Sequence, residues 1–407
     1  MTRILYICSS WPHGRSFGGQ IRSLHICRAL RTVGDVDVLM VGSEAGDREA
    51  QERTAREFST LPPIEPRLTG RNGLGDRVRR AFDTRFLDLH GFACTAADQA
   101  RIDALLGRYD LVWLLNSRTP NLIQRWSWPR SHLDIDDLPS TYLRSHARSV
   151  AGLGRRLKLQ LQQRLMHRRE LRLGERFPSL SVCSREDRAY LRNDRIQVIP
   201  NGFERPAAMP VRNLNPQAPR LGFIGLYSYE PNRAGMQWFL RECWPQVRRA
   251  VPGVRLRLIG RDTDGPLRPD DPDVEALGWV ADPAAEIASW SAMIVPILFG
   301  GGTRIKIAEA FSRRCPAVST PTGAFGYAVE HGRQLLLAES GQAFADSCVA
   351  LLRDSAAGER LAHQAWVDFL SNWTWEAISE RVRTAAQAAL ALRAAAPHGN
   401  SHLPSPR

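Results

Sequence analysis

Short apolar runs alternate with amphipathic stretches along the whole chain. In the first half, the apolar runs predict strands at 3–9, 37–41, 111–115, 132–135, 180–183 and 196–199. The second half repeats the alternation, with predicted strands at 221–225, 255–259, 274–277, 292–296 and 316–319. Strands that alternate with helices are typical of parallel sheets covered by helices on both faces. The pattern therefore predicts an α/β protein of two doubly wound, Rossmann-like units.

Domain boundaries follow from a cluster of prolines. Five prolines fall within residues 200–219 and indicate a linker. The second unit is complete near Leu370, so the helix that follows Trp375 has no strand of its own to pair with. We predict a first domain at 1–205, a linker at 206–219, a second domain at 220–372, a helix at 373–393 that packs back on the first domain, and a disordered tail at 394–407.

Three glycines in the second half separate a buried strand from a helix. Gly300, Gly301 and Gly302 follow the predicted strand 292–296, and Thr303 leads into an amphipathic helix. Glycines let a backbone approach a phosphate closely, and the first turn of a helix offers free N–H groups and positive potential. The strand, loop and helix therefore predict an anion cradle.

Charged residues extend this cradle. Arg304 supplies a planar fork, Lys306 a point charge, and Glu309 a carboxylate that can accept hydrogen bonds from a sugar or ribose hydroxyl. The alternative is an ordinary surface helix with a weak Lys306–Glu309 ion pair. Of 55 basic residues only Lys158 and Lys306 are lysines, and this rarity favours a specific role for the lysine that follows the glycines over an arbitrary positive charge.

Composition and charge narrow the class of protein. The 407 residues allow two or three domains, and the net charge of +13 divides into +11 for residues 1–205 and +2 for 206–407. We expect an anionic membrane surface or a phosphate-bearing acceptor to meet the first half, and no nucleic acid, because no aromatic residues are interleaved with the basic ones. Seven scattered cysteines and the lack of a signal or membrane-spanning stretch predict a cytoplasmic protein.

The first half offers weaker candidates. Gly18 and Gly19 follow the first strand and allow either a close approach to a ligand or a plain tight turn. The acidic run 134–137 ends a strand, where it can serve as a metal site, a general base or merely helix-capping carboxylates. Six arginines between 67 and 85 and a long basic helix at 155–177 are either solvated surface or docking surface for an anionic partner.

Several motifs, taken in order, resemble the GT-B glycosyltransferases, specifically the retaining family 4 group. In the second half they run almost without interruption from Gly222 to Leu370. They are Phe223-Ile224-Gly225, Pro231-Asn232, Trp238-Phe239, Ile259-Gly260, Gly278-Trp279-Val280-Ala281-Asp282, Val295-Pro296 and Gly300 to Ala310. Sparser matches in the first half are Gly18-Gly19, Val182 to Glu186 and Val198 to Gly202.

The resemblance implies that the two units face each other across a cleft, as in the GT-B fold. It also implies a nucleotide-diphosphate sugar in that cleft, held mainly by the second domain, and an acceptor on the side of the first. It implies that Glu309 binds the ribose and that Val280 and the loops with Gly18, Gly19, Gly300, Gly301, Gly302 and Thr303 bind the donor. The family's usual glutamate eight positions before Glu309 is here Gly301, and its usual arginine and lysine are here Leu226 and Ala234. A subgroup with Gly-Gly-Gly-Thr-Arg-x-Lys is similar to this chain, and we assign the cationic role to Arg304 and Lys306.

These observations predict glycosyl transfer to a glycan, lipid-linked or small-molecule acceptor, with retention and without cofactor or metal. Donors aimed at the departing diphosphate lower the barrier directly, and the leaving phosphate can take the acceptor proton. Three alternatives stay open: an inverting transferase with Asp136 or His13 as base, a sugar-nucleotide epimerase, and a noncatalytic nucleotide-sugar-binding protein. The residues name neither the sugar, the base nor the acceptor.

Overall fold

A computed structural model describes residues 1–13, 18–69, 73–82, 88, 90–266 and 268–395. The predicted tail 394–407 falls almost entirely outside these residues. No helix in the described part of the chain is long and apolar enough to span a membrane. All seven cysteines are buried and none forms a disulfide.

The first domain is built on a seven-stranded parallel sheet in the order β3-β2-β1-β6-β7-β8-β9. Its strands are β1 Arg3–Cys8, β2 Asp35–Met40, β3 Ser59–Thr60, β6 Leu111–Leu115, β7 Ser131–Ile135, β8 Ser179–Val182 and β9 Gln197–Val198. Two further strands, β4 Arg67–Leu68 and β5 Phe92–Ala93, form a separate antiparallel pair.

The second domain is built on a six-stranded parallel sheet in the order β12-β11-β10-β13-β14-β15. Its strands are β10 Arg220–Ile224, β11 Arg255–Ile259, β12 Val274–Ala276, β13 Ala292–Val295, β14 Ala317–Ser319 and β15 Leu336–Leu337. Central strands such as β6 and β13 are buried along their whole length, because helices cover both faces of each sheet. The predicted α/β fold with two parallel sheets is confirmed.

Helices connect the strands in both domains. In the first they are α1 Gly18–Arg31, α2 Arg48–Ala55, α3 Leu74–Phe82, α4 Ala96–Leu106, α5 Thr119–Leu122, α6 Pro139–Ser149, α7 Leu153–Leu171 and α8 Arg185–Tyr190. In the second they are α9 Glu230–Trp238, α10 Trp244–Ala250, α11 Ala284–Ala288, α12 Ile305–Ser312, α13 Gly341–Arg353 and α14 Ser355–Asn372. The last helix is α15 Trp375–Ala395.

Helix α15 packs in the core of the first domain although it follows the second domain in the chain. Its residues Ile378 and Val382 are buried beside residues of β1 and α1. Trp375 stacks on His25 of α1, with ring centroids 4.3 Å apart. Phe203 and Thr374 form a parallel bridge, so the two segments that connect the domains lie side by side.

The structure differs from the sequence predictions at three places, and a proline explains the third. The basic helix predicted at 155–177 is α7, which begins at Leu153 and ends at Leu171. The arginine-rich segment 67–85, interpreted from the sequence as either solvated or docking surface, contains β4 and α3, while residues 70–72 and 83–87 lie outside the described part. The predicted helix 233–250 is interrupted by a π-helical turn at Phe239–Cys243, since Pro245 in the first turn of α10 has no backbone N–H to continue the α-helical ladder.

Candidate active site

The glycine loop lies where the sequence placed it, between β13 and α12. Gly302 has a φ of 66°, a left-handed conformation that favours glycine. Arg304 is the residue before the first turn of α12, and its side chain does not cap the helix. The amide of Ile307 donates to the carbonyl of Arg304 at 3.0 Å, and among the described residues the amides of Ile305 and Lys306 have no such partner, so these two are available to an anion.

Arg304 presents unused donors beside this loop. Its Nη1 donates to the carbonyl oxygen of Gly301 at 2.5 Å. Its Nε and Nη2 are buried, and within the part of the chain that the structure describes neither donates a hydrogen bond that meets normal geometry. Because a buried guanidinium donor without a partner costs free energy, these two nitrogens are ready to bind an incoming anion.

Lys306 is the second residue of α12 and is half-buried. Its Nζ donates to Asn232 Oδ1 at 3.0 Å, and the Asn232 amide donates in turn to the carbonyl of Leu226 at 2.7 Å. A Cβ built on Gly225 would come within 2.6 Å of Lys306 Nζ, so only glycine leaves room for this ammonium. Burial, and then the neighbouring charge of Arg304, lower the pKa of Lys306 to about 8.

Glu309 is buried on α12 rather than exposed at its surface. Burial raises the pKa of its carboxyl to about 7, and the charges of Arg313 and Lys306 oppose that rise. Among the described residues, none donates a hydrogen bond to this carboxylate. Its oxygens are therefore available to accept from a ligand hydroxyl.

A cavity of about 460 Å³ opens at the carboxyl ends of β10 and β11. Val280, named from the sequence, lines it together with Trp279 and Arg261. Trp279 is 67% exposed and offers an apolar ring face to this space. Gly225 lines the same cavity and contacts Lys306, so the cavity and the cationic loop are continuous.

Sequence reasoning did not name Trp279 or Arg261 as site residues. Both follow strands of the second sheet, β12 and β11 respectively, at the edge where open α/β sheets bind ligands. That position in the chain is the signal that could have found them.

Helix α6 of the first domain covers the glycine loop. Ser145 Oγ lies 2.9 Å from both the amide nitrogen and the carbonyl oxygen of Gly300. His146 stacks on Phe299 with ring centroids 4.5 Å apart. A Cβ on Gly301 would lie 3.3 Å from Cβ of Tyr142, which leaves little space for the glutamate that the resembling family has there.

A first-domain carboxylate also reaches the loop. A Cβ on Gly302 would overlap the side chain of Asp137, so this carboxylate lies directly against the glycine backbone. Burial and the neighbouring Asp136 raise the pKa of Asp137, while Arg304 opposes the rise. Asp137 was part of the acidic run noted in the sequence, but its contact with Gly302 depends on how the two domains meet.

The other residues of that run have different surroundings. Asp134 is fully buried and forms a bidentate pair with Arg22, at 2.7 and 3.1 Å. Asp136 accepts from Asn201 Nδ2 at 3.1 Å, and the same nitrogen lies 2.9 Å from Thr303 Oγ1 of the glycine loop. Asp134 therefore holds the first domain together, whereas Asp136 is connected to the loop through one side chain.

The remaining first-domain candidates lie elsewhere. His13 lines a separate cavity of about 210 Å³ with Arg28 and Glu57. Gly18 and Gly19 form the first turn of α1, and residues 14–17 before them lie outside the described part. Within the described residues, no group of three or more His, Cys, Asp or Glu side chains is arranged to hold a metal ion.

The second domain matches a known enzyme family. Residues 218–354 match the family described as Glycosyl transferases group 1. This segment of the chain is thus similar to the glycosyltransferase group 1 family. The matched segment contains β10 to β15 and the glycine loop, and the match confirms the predicted enzyme class.

Solved structures share the fold over nearly the whole chain. Sucrose-phosphate synthase from Thermosynechococcus elongatus is 16% identical, with a TM-score of 0.64 over 97% of this chain and 100% of that one. Anabaena HepE in complex with UDP and glucose is 16% identical, with a TM-score of 0.60 over 95% of this chain and 100% of that one. S. aureus TarM, in complex with Fondaparinux, alpha-GlcNAc-glycerol and UDP, is 10% identical, with a TM-score of 0.63 over 95% of this chain and 100% of that one. The predicted GT-B arrangement around the group 1 domain is confirmed at the level of fold.

A relative by sequence is an "Uncharacterized 44.6 kDa protein in cps region" of Klebsiella pneumoniae. It is 24% identical over 161 residues, which are 37% of this chain and 42% of that protein. The chain thus covers less than half of that relative's length.

Proposed function

We propose that this protein transfers a sugar from a nucleotide-diphosphate sugar to an acceptor, with retention of anomeric configuration and without a metal ion. The observation that carries the proposal is the unused buried donor pair of Arg304 beside Lys306, at the mouth of the 460 Å³ cavity. Two cations and a free helix terminus suit a diphosphate, and the adjoining cavity suits the nucleoside.

Each part of the site has a role in this proposal. The nucleobase stacks on Trp279 in the cavity that Val280 lines, because an exposed ring beside a pocket is a platform for a planar base. Glu309 accepts hydrogen bonds from the ribose hydroxyls. Gly300, Gly301, Gly302 and Thr303 supply backbone donors, and Gly18 and Gly19 approach the diphosphate from the first domain.

The reaction breaks the bond between the anomeric carbon and the diphosphate oxygen. The acceptor oxygen bonds to the same face of that carbon, and its proton passes to the leaving phosphate oxygen. Arg304 and Lys306 stabilise the charge that grows on the diphosphate, which lowers the barrier without a protein base. The contacts that α6 makes with the loop exclude water and orient the acceptor.

An inverting transfer is the second candidate, because first-domain carboxylates reach the loop. Asp137 lies against Gly302, and Asp136 is connected to Thr303 through Asn201. A carboxylate in this position can act as general base for an acceptor hydroxyl. The anomeric configuration of the product distinguishes the two reactions.

Relatives add support for the substrates. Structures of Anabaena HepE contain UDP-glucose, UDP and glucose, and a structure of S. aureus TarM contains UDP. The Klebsiella pneumoniae relative is encoded in a cps region. We extend these facts to a role in polysaccharide biosynthesis, with a glycan, lipid-linked or small-molecule acceptor. The location proposed for this role is the cytoplasm, at the inner membrane surface.

A panel of nucleoside diphosphates and their sugars tests the proposal. The matching nucleotide raises the melting temperature by mass action, and the matching donor then yields a glycosylated product whose proton NMR gives the anomeric configuration. Donor turnover to an isomeric nucleotide sugar without acceptor would indicate an epimerase, and binding without any turnover would indicate a noncatalytic protein. Absence of a melting shift across the panel would contradict nucleotide-sugar binding.

A further inference from the structure

A second cavity lies on the first domain between α6 and α7. It is separate from the cavity of about 460 Å³ that Trp279 and Val280 line, which we call the nucleotide cavity after its proposed ligand. We call the second cavity the α6–α7 groove, and it has a volume of about 360 Å³. Its charged side chains are all basic. Four arginines line it, two from each helix: Arg144, Arg148, Arg156 and Arg164.

These four arginines lack acidic partners. Within the described residues, none of them forms an ion pair with a carboxylate. Arg144 lies over the ring of Tyr190 at 5.4 Å, and Gln163 donates to the Tyr190 hydroxyl at 2.7 Å. The groove therefore gathers four guanidinium groups around a fixed aromatic ring. Such a cluster repels itself until an anion with several oxygens, such as a phosphate, binds in it.

A stripe of exposed leucines runs beside the groove along α7. Leu153, Leu157 and Leu161 are 73%, 54% and 58% exposed. They are four residues apart, so they follow one side of the helix. At about 100° per residue, this side adjoins the face that carries Arg156 and Arg164. Basic and apolar groups thus share one continuous surface.

We propose that this surface binds an anionic lipid bilayer. Lipid phosphates enter the α6–α7 groove, and the leucine stripe inserts among the acyl chains. Charge complementarity favours a bilayer over a second copy of this chain, since two such surfaces brought face to face would place arginines against arginines. The inference deepens the proposed membrane location by assigning it to specific residues, and it does not depend on the transfer reaction.

The position of α6 connects this surface to the catalytic cleft. Tyr142 and His146 of the same helix contact Phe299 beside the glycine loop, whereas Arg144 and Arg148 line the groove. One helix therefore separates the bilayer from the cleft. An acceptor held at the membrane needs to pass only this helix to reach the glycine loop.

Vesicle retention tests the proposal with a charge-matched control. The groove variant Arg148→Glu/Arg156→Glu/Arg164→Glu is compared with a control, Arg249→Glu/Arg268→Glu/Arg360→Glu. The control changes three exposed arginines of the second domain that form no ion pair with any described residue. On vesicles of equal phosphatidylglycerol and phosphatidylcholine we expect the groove variant to bind about a hundredfold more weakly, and the control to bind nearly as wild type. Equal loss in both variants would mean that net charge alone drives binding and would overturn the proposal.

The leucines and the ligand source need separate measurements. Leu153→Ser/Leu157→Ser/Leu161→Ser is expected to fold, because these side chains are exposed, and to lose the binding that survives at high salt. Undiminished retention of this variant would rule out insertion. Complete displacement of the wild-type protein from vesicles by free pyrophosphate at high salt would show a site for soluble phosphate and would overturn the bilayer as occupant. A dimer in solution that the leucine variant abolishes would also overturn it. The nucleotide-dependent melting shift should be unchanged in all three variants, which separates this test from that of the transfer reaction.

Discussion

Lys306 Nζ donates a hydrogen bond to Asn232 Oδ1 over 3.0 Å, and this contact joins two segments that are 74 residues apart in the chain. Asn232 belongs to α9, and its own amide holds the carbonyl of Leu226 beside the nucleotide cavity. The ammonium is therefore aimed by a neutral partner that does not neutralise it. In the proposed function, this ammonium is available to the diphosphate while it is protonated, below its pKa of about 8.

Replacing Lys306 with alanine is expected to reduce turnover by on the order of several hundredfold, as for a lost donor to the transition state. Donor turnover is measured once the panel has identified the nucleotide sugar, and the melting temperature checks that the variant folds. The exposed Lys158 provides the control, because Lys158→Ala removes the same group far from the loop. Wild-type turnover of Lys306→Ala would show that this lysine does not act on the diphosphate.

Nucleoside diphosphate binding should weaken as the pH rises through about 8. Lys306 has a pKa lowered to about 8 and loses its proton above that pH, whereas a bound diphosphate favours the charged form. Binding near this pH is therefore coupled to proton uptake. Calorimetry in buffers of different ionisation enthalpy measures that uptake, and Lys306→Met should abolish both the uptake and the change in affinity near pH 8. A persistent step in Lys306→Met would assign the titration to another group.

The same burial affects the stability of the ligand-free protein. The pKa of Lys306 falls from 10.5 to about 8 on folding, so between these values the unfolded chain binds more protons and the contribution of this group to stability rises with pH. Below about pH 8 the buried charge destabilises the fold. The difference in unfolding free energy between Lys306→Met and wild type should therefore shrink from pH 8 to 10.5 in urea titrations.

Glu309→Gln should weaken nucleoside diphosphate binding by about tenfold or more, because a hydrogen bond to a charged acceptor contributes more than one to a neutral amide. Substrates without the ribose hydroxyls provide the internal control. The 2′,3′-dideoxy nucleotide should bind wild type and Glu309→Gln equally if the carboxylate holds the ribose. Equal loss with both nucleotides would place Glu309 in a structural role.

Trp375→Ala should destabilise the first domain by about 3 kcal/mol, as for other buried aromatic truncations. Its indole stacks on His25, and a Cβ on Gly202 would come within 2.8 Å of the ring, so the site is closely packed. Urea unfolding measures the loss, and Trp279→Ala, which removes an exposed indole, is the matched control. A chain that ends at Thr374 should lose the first domain's cooperative transition, whereas one that ends at Ala395 should keep it.

Donor binding is expected to close the two domains about the paired segments near Phe203 and Thr374. Small-angle scattering should show a smaller radius of gyration with donor than without, because the diphosphate gains partners from both halves only when they meet. Gly302→Ala should oppose this compaction, since its Cβ would overlap the Asp137 side chain. An unchanged radius with saturating donor would contradict the hinge.

The sequence by itself determined the two parallel α/β units and the glycine loop. Strand and helix periods are local properties, and the chain repeats them clearly enough to place nearly every central strand. Arg304, Lys306 and Glu309 were visible because they sit at fixed offsets after three glycines. The group 1 match over residues 218–354 covers the second unit and the glycine loop, and not the first unit.

Only the tertiary structure decided which side chains share the site and how charged they are. The contact of Asp137 with Gly302, the bond from Lys306 to Asn232 and the position of Trp279 at the nucleotide cavity join residues that are far apart in the chain. The shifted pKa values of Lys306 and Glu309 arise from burial among those neighbours. Local patterns carry no information about such distances, since they depend on how two sheets and a returning helix pack against each other.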